Sequence, residues 1–319
     1  MHRALLLATP TLITAAALRA WFAAGNTIAE LWCAEPDNPF LHPPRSLAGN
    51  IYPEFDAVRL IRAAGVPVRR IPPLRRWPDA LAEARASGAD TLMTVMTLQI
   101  VPADLIAHFG DRAVNLHPAL LPDYKGPGAR HGMLLDGTAD RFGGITLHRL
   151  TAGIDEGPII AQRPCPRSAA RDIYDWDHQL AQAGAGMIRH ELQEYLAGRR
   201  AAVAQTGQGS YRRLAPDERL LTPDLSLASL RLRCERLGPS RVLRWQAGGR
   251  SASVLGLDRS LGAPTGDRPR VTPFAVEADI ADARVRLRRK SPLSQAADLW
   301  ARLAAMRRMR AQLRAGGDA

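Results

Sequence analysis

The first 116 residues alternate short apolar runs with amphipathic stretches of helical length, and several of these stretches end at a glycine. Runs such as Arg3–Ala8 have the composition of buried strands, and residues 11–24 have the pattern of a helix. Parallel strands need a long crossover, usually a helix, so this alternation predicts successive βαβ units. We therefore expect an α/β fold with a mostly parallel sheet and helices on both faces. Ligands of such sheets bind beyond the carboxyl ends of the strands.

The second half of the chain has a different pattern. After a helix predicted over residues 174–196, residues 201–210 form a linker of small and polar side chains. A helix is then predicted over residues 225–237, and the short apolar runs after it indicate a smaller β-rich domain. The tail, residues 295–314, is predicted to be a basic helix. The expected organisation is a catalytic domain at 1–200, a linker at 201–210 and a β-rich basic domain at 211–319.

The net charge of +12 is concentrated in the second half. Residues 1–206 carry 21 basic and 20 acidic side chains, whereas residues 207–319 carry 22 basic and 11 acidic ones, a net of +11. An anionic partner, either a nucleic acid or a phosphorylated small molecule, would suit such a surface. Since 41 of the 43 basic residues are arginine, compositional bias is an equally weighted explanation.

Several classes of site are not expected. The three cysteines are widely spaced and form no CxxC pair, which argues against a disulfide framework and suits a reducing cytoplasm. The histidines show no HxxxH or HExxH spacing, so no metal site is expected. No apolar run reaches the roughly 18 residues of a membrane span, so a cytoplasmic protein with no membrane partner is expected.

Asn115 and His117 lie at the end of the predicted fifth strand. Side chains two apart on a strand share a face, so both point to the same side, and Asp155 lies in a later turn beside Gly157. An amide, an imidazole and a carboxylate suit acyl transfer, because Asn115 and protonated His117 would stabilise an oxyanion. Asp155 would raise the pKa of His117 and keep it charged near neutrality, or accept the proton of an amine. Isolated Asn-x-His and Asp-x-Gly motifs are also typical of ordinary strand ends and turns, so spacing alone leaves both interpretations open.

Two longer segments carry a family resemblance. NLHPALLPDYKGPG and, about 30 residues later, GITLHRLTAGIDEGPIIAQ resemble the signature of the folate-dependent formyltransferases. That superfamily includes methionyl-tRNA formyltransferase, glycinamide ribonucleotide formyltransferase and the sugar N-formyltransferases. The resemblance covers about residues 1–200 and implies a Rossmann-like fold, with Asn115, His117 and Asp155 as the catalytic triad. The β-rich domain resembles, in diverged form, the oligonucleotide-binding-type (OB-like) barrel that follows the catalytic domain in the tRNA enzyme.

The resemblance also implies a formyl donor and its contacts. The donor would be 10-formyltetrahydrofolate, with no metal, and the residues implied to bind it are Gln99, Ile100, Val101, Pro102, Gly153 and Ile154. The residues expected to contact the acceptor amine are Lys125, Arg130 and His148.

Departures from the family pattern bear on the acceptor. The loop at residues 35–53 lies where the tRNA enzymes carry a strongly basic insertion, but its only basic residues are His42 and Arg45. The usual serine after the Asn-x-His motif is Ala119, and His148 and Gln162 resemble the enzymes that act on small amines. These features favour a sugar amine or a nucleotide-linked amine, either of which can carry a phosphate. The basic second half favours tRNA as the alternative acceptor.

Two further alternatives stay open. A formyltetrahydrofolate hydrolase uses a similar triad with water as the acceptor and would turn over without an amine. A nucleic-acid-binding protein would bind RNA through residues 207–319 with a steep dependence on salt, although no aromatic RNA-binding signature is present.

Overall fold

The computed structural model describes residues 1–44 and 46–315, and the chain divides into two compact units. The first unit contains residues 1–127, 140–212 and those from 306 onward, and the second contains residues 128–139 and 213–305. The predicted domains, 1–200 and 211–319, were each one continuous stretch of chain, and the observed units differ from them at two places. Residues 128–139 belong with the later part of the chain, and the end of the last helix belongs with the first unit.

The first unit contains a seven-stranded sheet in the described part of the chain. Its strands are β1 (Arg3–Ala8), β2 (Thr27–Cys33), β3 (Val68–Arg70), β4 (Thr91–Val95), β5 (Ala113–His117), β6 (Gly144–Arg149) and β7 (Ile159–Pro164). The spatial order is β3-β2-β1-β4-β5-β6-β7, with β1 to β5 parallel and β6 and β7 antiparallel. The predicted mostly parallel sheet is therefore confirmed.

The helices connect and cover these strands. They are α1 (Leu12–Ala23), α2 (Leu47–Ile51), α3 (Ala57–Ala63), α4 (Ala80–Ala86), α5 (Ala103–Phe109), α6 (Ala129–Asp136), α7 (Ala139–Phe142), α8 (Ile173–Arg189), α9 (Glu191–Leu196), α10 (Leu227–Leu237) and α11 (Pro292–Ala315). Local sequence explains several starts, since side chains of Thr11, Asp56 and Asp172 accept backbone N–H groups at the beginnings of α1, α3 and α8. None of the described helices is both long and apolar enough to cross a membrane.

Helices lie on both faces of the first sheet. Leu5 and Leu7 of β1 share a buried cluster with Ala84 of α4 and Leu105 of α5. On the opposite face, α8 comes so close that a methyl group added at Gly184 would lie 3.0 Å from the Leu116 side chain. Since alternate strand residues point to opposite faces, Leu116 packs under α8 while Asn115 and His117 point the other way.

The second unit has its own sheet and core. Its strands are β8 (Leu220–Leu221), β9 (Arg244–Ala247), β10 (Arg250–Gly262), β11 (Arg270–Val271), β12 (Ala275–Asp279) and β13 (Arg284–Arg289). The order in the described residues is β11-β12-β13-β10-β9-β8, antiparallel except for the β8–β9 pair. Its core includes Trp245, Val285 and Leu287 packed with Leu230 of α10. The predicted β-rich C-terminal domain is confirmed.

The last turns of α11 pack within the first unit. Arg310 forms a two-pronged ion pair with Glu54, lies 4.2 Å from the Tyr52 ring centroid and donates to the Ile51 carbonyl. His178 Nε2 lies 2.8 Å from Gln312 Oε1. These contacts tie α11 to the end of the 35–53 loop and to α8. Arg45, on which the comparison of that loop with the tRNA enzymes partly depends, lies outside the described residues.

Candidate active site

The candidate site begins at the carboxyl end of β5, where Asn115 and His117 project from the same face. Sheet register places Thr94 of β4 beside Asn115 on one side and His148 of β6 beside it on the other. Three adjacent strands therefore bring polar side chains to one row across the sheet. Thr94, His117 and His148 are all buried, so each of these polar groups needs a partner within the protein.

Asp155 reaches this row from the turn between β6 and β7. Its backbone is left-handed, with φ of +55°, a conformation that is uncommon outside glycine but better tolerated by aspartate than by most residues. The Gln205 side-chain amide donates to the carbonyls of Asp155 and Gly157, both at 2.8 Å, and so fastens the turn. A side chain at Gly157 would collide with the Arg149 carbonyl, which lies 1.8 Å from the ideal Cβ position. The glycine of the Asp-x-Gly motif is thus required because the turn lies in direct contact with the neighbouring strand.

The Asp155 carboxylate lies among three groups that face it. Asn115 Nδ2 donates to Oδ1 at 3.2 Å, and the Gly126 N–H donates to Oδ2 at 2.8 Å. His117 Nδ1 lies 3.4 Å from Oδ2. The structure therefore brings Asn115, His117 and Asp155 into one cluster, although 40 residues separate the first from the last.

His148 completes the cluster from the neighbouring strand. Its Nδ1 lies 2.7 Å from the Arg149 carbonyl, and its Nε2 lies 3.0 Å from Asn115 Nδ2 and 3.5 Å from Asp155 Oδ1. A carbonyl can only accept, so Nδ1 carries the proton and Nε2 accepts from Asn115. This buried ring therefore fixes one end of the Asn115 carboxamide. Its predicted contact with an acceptor amine stays a prediction.

The charge state of the cluster differs from the expected one. Burial alone would raise the pKa of Asp155, but the His117 and His148 rings and the Gly126 N–H outweigh it and hold that pKa below its usual range. Burial lowers the pKa of His117, and the opposing effect of Asp155 does not reverse the shift. The interpretation that Asp155 keeps His117 charged near neutrality is therefore wrong, because the ring loses more hydration than the carboxylate replaces. At neutral pH the pair is an ionised carboxylate beside a neutral imidazole.

The two ring nitrogens of His117 nevertheless suit a transient proton. Nε2 lies 2.9 Å from the Tyr124 carbonyl, which accepts its N–H, and Nδ1 faces the Asp155 carboxylate. A proton arriving at Nδ1 would lie beside a negative charge while Nε2–H keeps its acceptor. The arrangement can thus accept a proton during a reaction and stabilise the resulting imidazolium.

The residues expected to contact an acceptor lie in different places. Lys125 is in the first unit, where Nζ donates to the Gln208 carbonyl at 3.3 Å and lies 3.5 Å from Glu156. Arg130 is in the second unit, at the start of α6, and donates to His131 Nε2 at 3.3 Å. Burial and the charges of Arg130 and Arg219 lower the pKa of His131 to about 4, so this imidazole accepts as a neutral ring.

The residues implied to bind the formyl donor follow β4 and precede Asp155. Val101 is buried in the core and Pro102 precedes the first turn of α5, whereas Ile100 and Ile154 are 37% and 39% exposed. Gln99 donates to Glu35 at 2.7 Å and its side-chain oxygen faces the Leu74 N–H at 3.4 Å. An ideal Cβ at Gly153 would lie 2.1 Å from the carboxylate of the exposed Glu156 side chain, which would have to move aside. Partly exposed isoleucine side chains suit contact with a flat organic ring. The assignment of these residues to the formyl donor stays a prediction.

Three groups that contact the cluster were not predicted from the sequence. The Tyr124 carbonyl, the Gly126 N–H and the Thr94 hydroxyl all contact the cluster, yet only backbone geometry and sheet register reveal them. Tyr124 and Asp155 are both non-glycine residues with positive φ, and such conformations occur preferentially at functional sites. Among the described residues, no group of three or more His, Cys, Asp or Glu side chains is arranged to hold a metal ion.

Comparison with known proteins agrees with this geometry. Residues 69–189, which contain the whole cluster, match the family model described as formyl transferase. Over 130 residues the chain is 34% identical to the methionyl-tRNA formyltransferase of Listeria welshimeri, an alignment covering 41% of this chain and 41% of that protein. The chain therefore spans about two fifths of the length of this curated relative.

Solved structures share the fold. A sugar N-formyltransferase from a Shewanella species superposes with a TM-score of 0.58 at 15% identity, covering 80% of this chain and 96% of that one. An N-formyltransferase from Helicobacter canadensis, determined with folinic acid and dTDP-3-aminofucose, gives a TM-score of 0.54 at 13% identity over 91% of this chain and 100% of that one. The part of the α/β unit that carries the amide, the imidazole and the carboxylate, residues 69–189, thus matches a formyl transferase domain. The chain is therefore similar to the formyltransferases, through this domain and through its fold.

Proposed function

We propose that this chain transfers a formyl group from 10-formyltetrahydrofolate to a small-molecule amine, with sugar amines and nucleotide-linked amines as the leading acceptors. The observation that carries the proposal is the cluster of Asn115, His117 and Asp155 within a formyl transferase domain. The names of the relatives, all formyltransferases, support the reaction type, and the folinic acid bound to the Helicobacter canadensis enzyme supports a folate donor.

In the proposed reaction the amine nitrogen bonds to the formyl carbon, and the bond between that carbon and the folate nitrogen breaks. The amine loses one proton, which His117 Nδ1 is placed to accept beside the Asp155 carboxylate. The departing folate nitrogen gains one proton, so the protonated imidazole can return it. The Asn115 Nδ2–H is the side-chain donor available to the formyl oxygen, once it exchanges its 3.2 Å bond to Asp155 for that oxygen.

The experiment measures release of tetrahydrofolate from 10-formyltetrahydrofolate in the presence of candidate amines. Asn115→Ala removes the oxyanion donor and should lower kcat by a factor on the order of 10² to 10³. His117→Ala should lower it at least as much, whereas His108→Ala, at an exposed histidine of α5, should leave it unchanged. Wild-type rates in both Asn115→Ala and His117→Ala would contradict the proposal.

Methionyl-tRNA is the second candidate acceptor, favoured by the named function of the Listeria relative and by the net charge of +11 on residues 207–319. Supplying methionyl-tRNA and amino sugars in parallel, and scoring tetrahydrofolate release, separates the two. If tetrahydrofolate is released equally fast with and without an amine, the result would indicate the hydrolase alternative instead.

A further inference from the structure

Thr94 is a buried threonine of β4 that contacts the candidate catalytic amide and has no assigned role. Its side chain is 1% exposed, and its hydroxyl donates to Asn115 Oδ1 at 2.7 Å. The other end of the same carboxamide is held by His148 Nε2 at 3.0 Å and by Asp155 Oδ1 at 3.2 Å. Both ends of the Asn115 side chain are therefore occupied by groups from other elements.

These partners admit one orientation of the carboxamide. A rotated amide would place its oxygen against the unprotonated His148 Nε2 and against the ionised Asp155 carboxylate, both of which can only accept. The Thr94 hydroxyl supplies the donor that the amide oxygen requires. Its other possible acceptor, the Val114 carbonyl, is more distant at 3.3 Å.

We propose that Thr94 is a positioning residue that orients and polarises Asn115 for formyl transfer, an inference that rests on the proposed function. A hydrogen bond to an amide oxygen draws electron density from the nitrogen, and this makes the Nδ2–H a stronger donor. The hydroxyl thus acts on the developing oxyanion through Asn115 and touches neither reactant. Its effect belongs to the transition state, because the oxyanion forms only there.

The test compares two substitutions at Thr94 with one at a matched position. Thr94→Val keeps the side-chain shape and removes the hydroxyl, and it should lower kcat about 5- to 10-fold, as expected for one hydrogen bond. The KM values for 10-formyltetrahydrofolate and for the amine should change less than about 2-fold, since ground-state binding is untouched. Thr94→Ser restores the hydroxyl and should recover kcat to within about 2-fold of wild type.

Thr91→Val is the control. Thr91 lies three positions earlier on the same strand and is fully buried, and its hydroxyl donates to Asp90 at 2.8 Å instead of to Asn115. The same substitution there removes a comparable hydrogen bond, so kcat should stay within about 2-fold of wild type. A matching loss in Thr91→Val would mean that the strand, and not the Asn115 contact, is responsible.

A second measurement is independent of turnover. In ¹⁵N NMR spectra the side-chain amide of Asn115 should exchange slowly with water in wild type and in Thr94→Ser, and faster in Thr94→Val. Wild-type kcat in Thr94→Val together with an unchanged Asn115 amide would overturn the inference, as would a serine variant as impaired as the valine variant. Failure of the proposed function looks different, since the wild-type protein would then release no tetrahydrofolate while the amide signal could still respond.

Discussion

Asp155→Asn is the substitution whose effect the structure specifies most closely. Both carboxylate oxygens accept an N–H group, Oδ2 from the Gly126 backbone at 2.8 Å and Oδ1 from Asn115 at 3.2 Å. Asparagine has one oxygen and one NH₂ group. In either orientation its NH₂ must face one of these donors, so a buried donor is left without an acceptor, and the negative charge beside His117 is lost.

Two magnitudes follow from this geometry. One unsatisfied buried donor costs about 1–3 kcal/mol, so the free energy of unfolding measured with urea should fall by that amount. A positioned acid–base group contributes about 10² to 10⁴ in rate, and kcat for tetrahydrofolate release should fall within that range, because the imidazolium formed on His117 has lost its counter-charge.

The comparison variant is Asp37→Asn, at an exposed aspartate in the 35–53 loop, which should change neither quantity. NMR titration of the His117 ring adds a direct reading. Its pKa, already lowered by burial, should fall further in Asp155→Asn because the carboxylate that opposes the shift is gone. A kcat within 10-fold of wild type, or a His117 pKa that rises, would refute the proton-accepting role.

Acid should destabilise the fold through its buried histidines. Burial lowers the pKa values of His117, His131 and His178, that of His131 to about 4, so below about pH 6.5 the unfolded chain binds protons that the folded chain refuses. The free energy of unfolding should therefore fall from pH 6.5 towards pH 4, and a urea midpoint that is constant over this window would contradict the assignment. Gly157→Ala should lower that free energy by about 1–3 kcal/mol or more and reduce kcat, because its Cβ would meet the Arg149 carbonyl. Gly186→Ala in α8, where nothing lies within 4 Å of the added carbon, should leave the free energy of unfolding measured with urea unchanged or raise it.

Much of the first sheet could be predicted because its strands are continuous apolar runs. The bounds predicted for β1 match the structure, and every residue of this strand except Arg3 is buried. The helix predicted over residues 174–196 is instead two helices, α8 and α9, separated at His190, where neither glycine nor proline marks the break. Helix α6 was missed because its start, Gly128 with φ of +93°, resembles the turn-rich sequence before it.

In the site, the features that depend on neighbouring residues could be predicted from the sequence, whereas those that depend on distant residues could not. Strand periodicity is enough to place Asn115 and His117 on one face, since they lie two positions apart on the strand. The approach of Asp155 depends on how a distant turn packs, so the residues alone left it open and the family resemblance favoured it. The Thr94–Asn115 pair requires the register of two neighbouring strands, and the lowered pKa of His117 requires its burial. Neither the register of two strands nor the burial of a side chain can be predicted from a single stretch of sequence.

The charge of the resting cluster favours an amine over water as the acceptor. With His117 neutral and Asp155 ionised, the cluster carries a buried negative charge that accepts the Gly126 N–H and lies beside the neutral His117 ring. In a partly buried site such a charge acts more strongly than in water, and it stabilises a positive charge that develops nearby. An attacking amine becomes positive as its nitrogen bonds to the formyl carbon, and it stays so until His117 takes the proton. Water becomes positive too, but it is a far weaker nucleophile at neutral pH and needs its proton removed earlier, by a stronger base than an imidazole whose pKa burial has lowered.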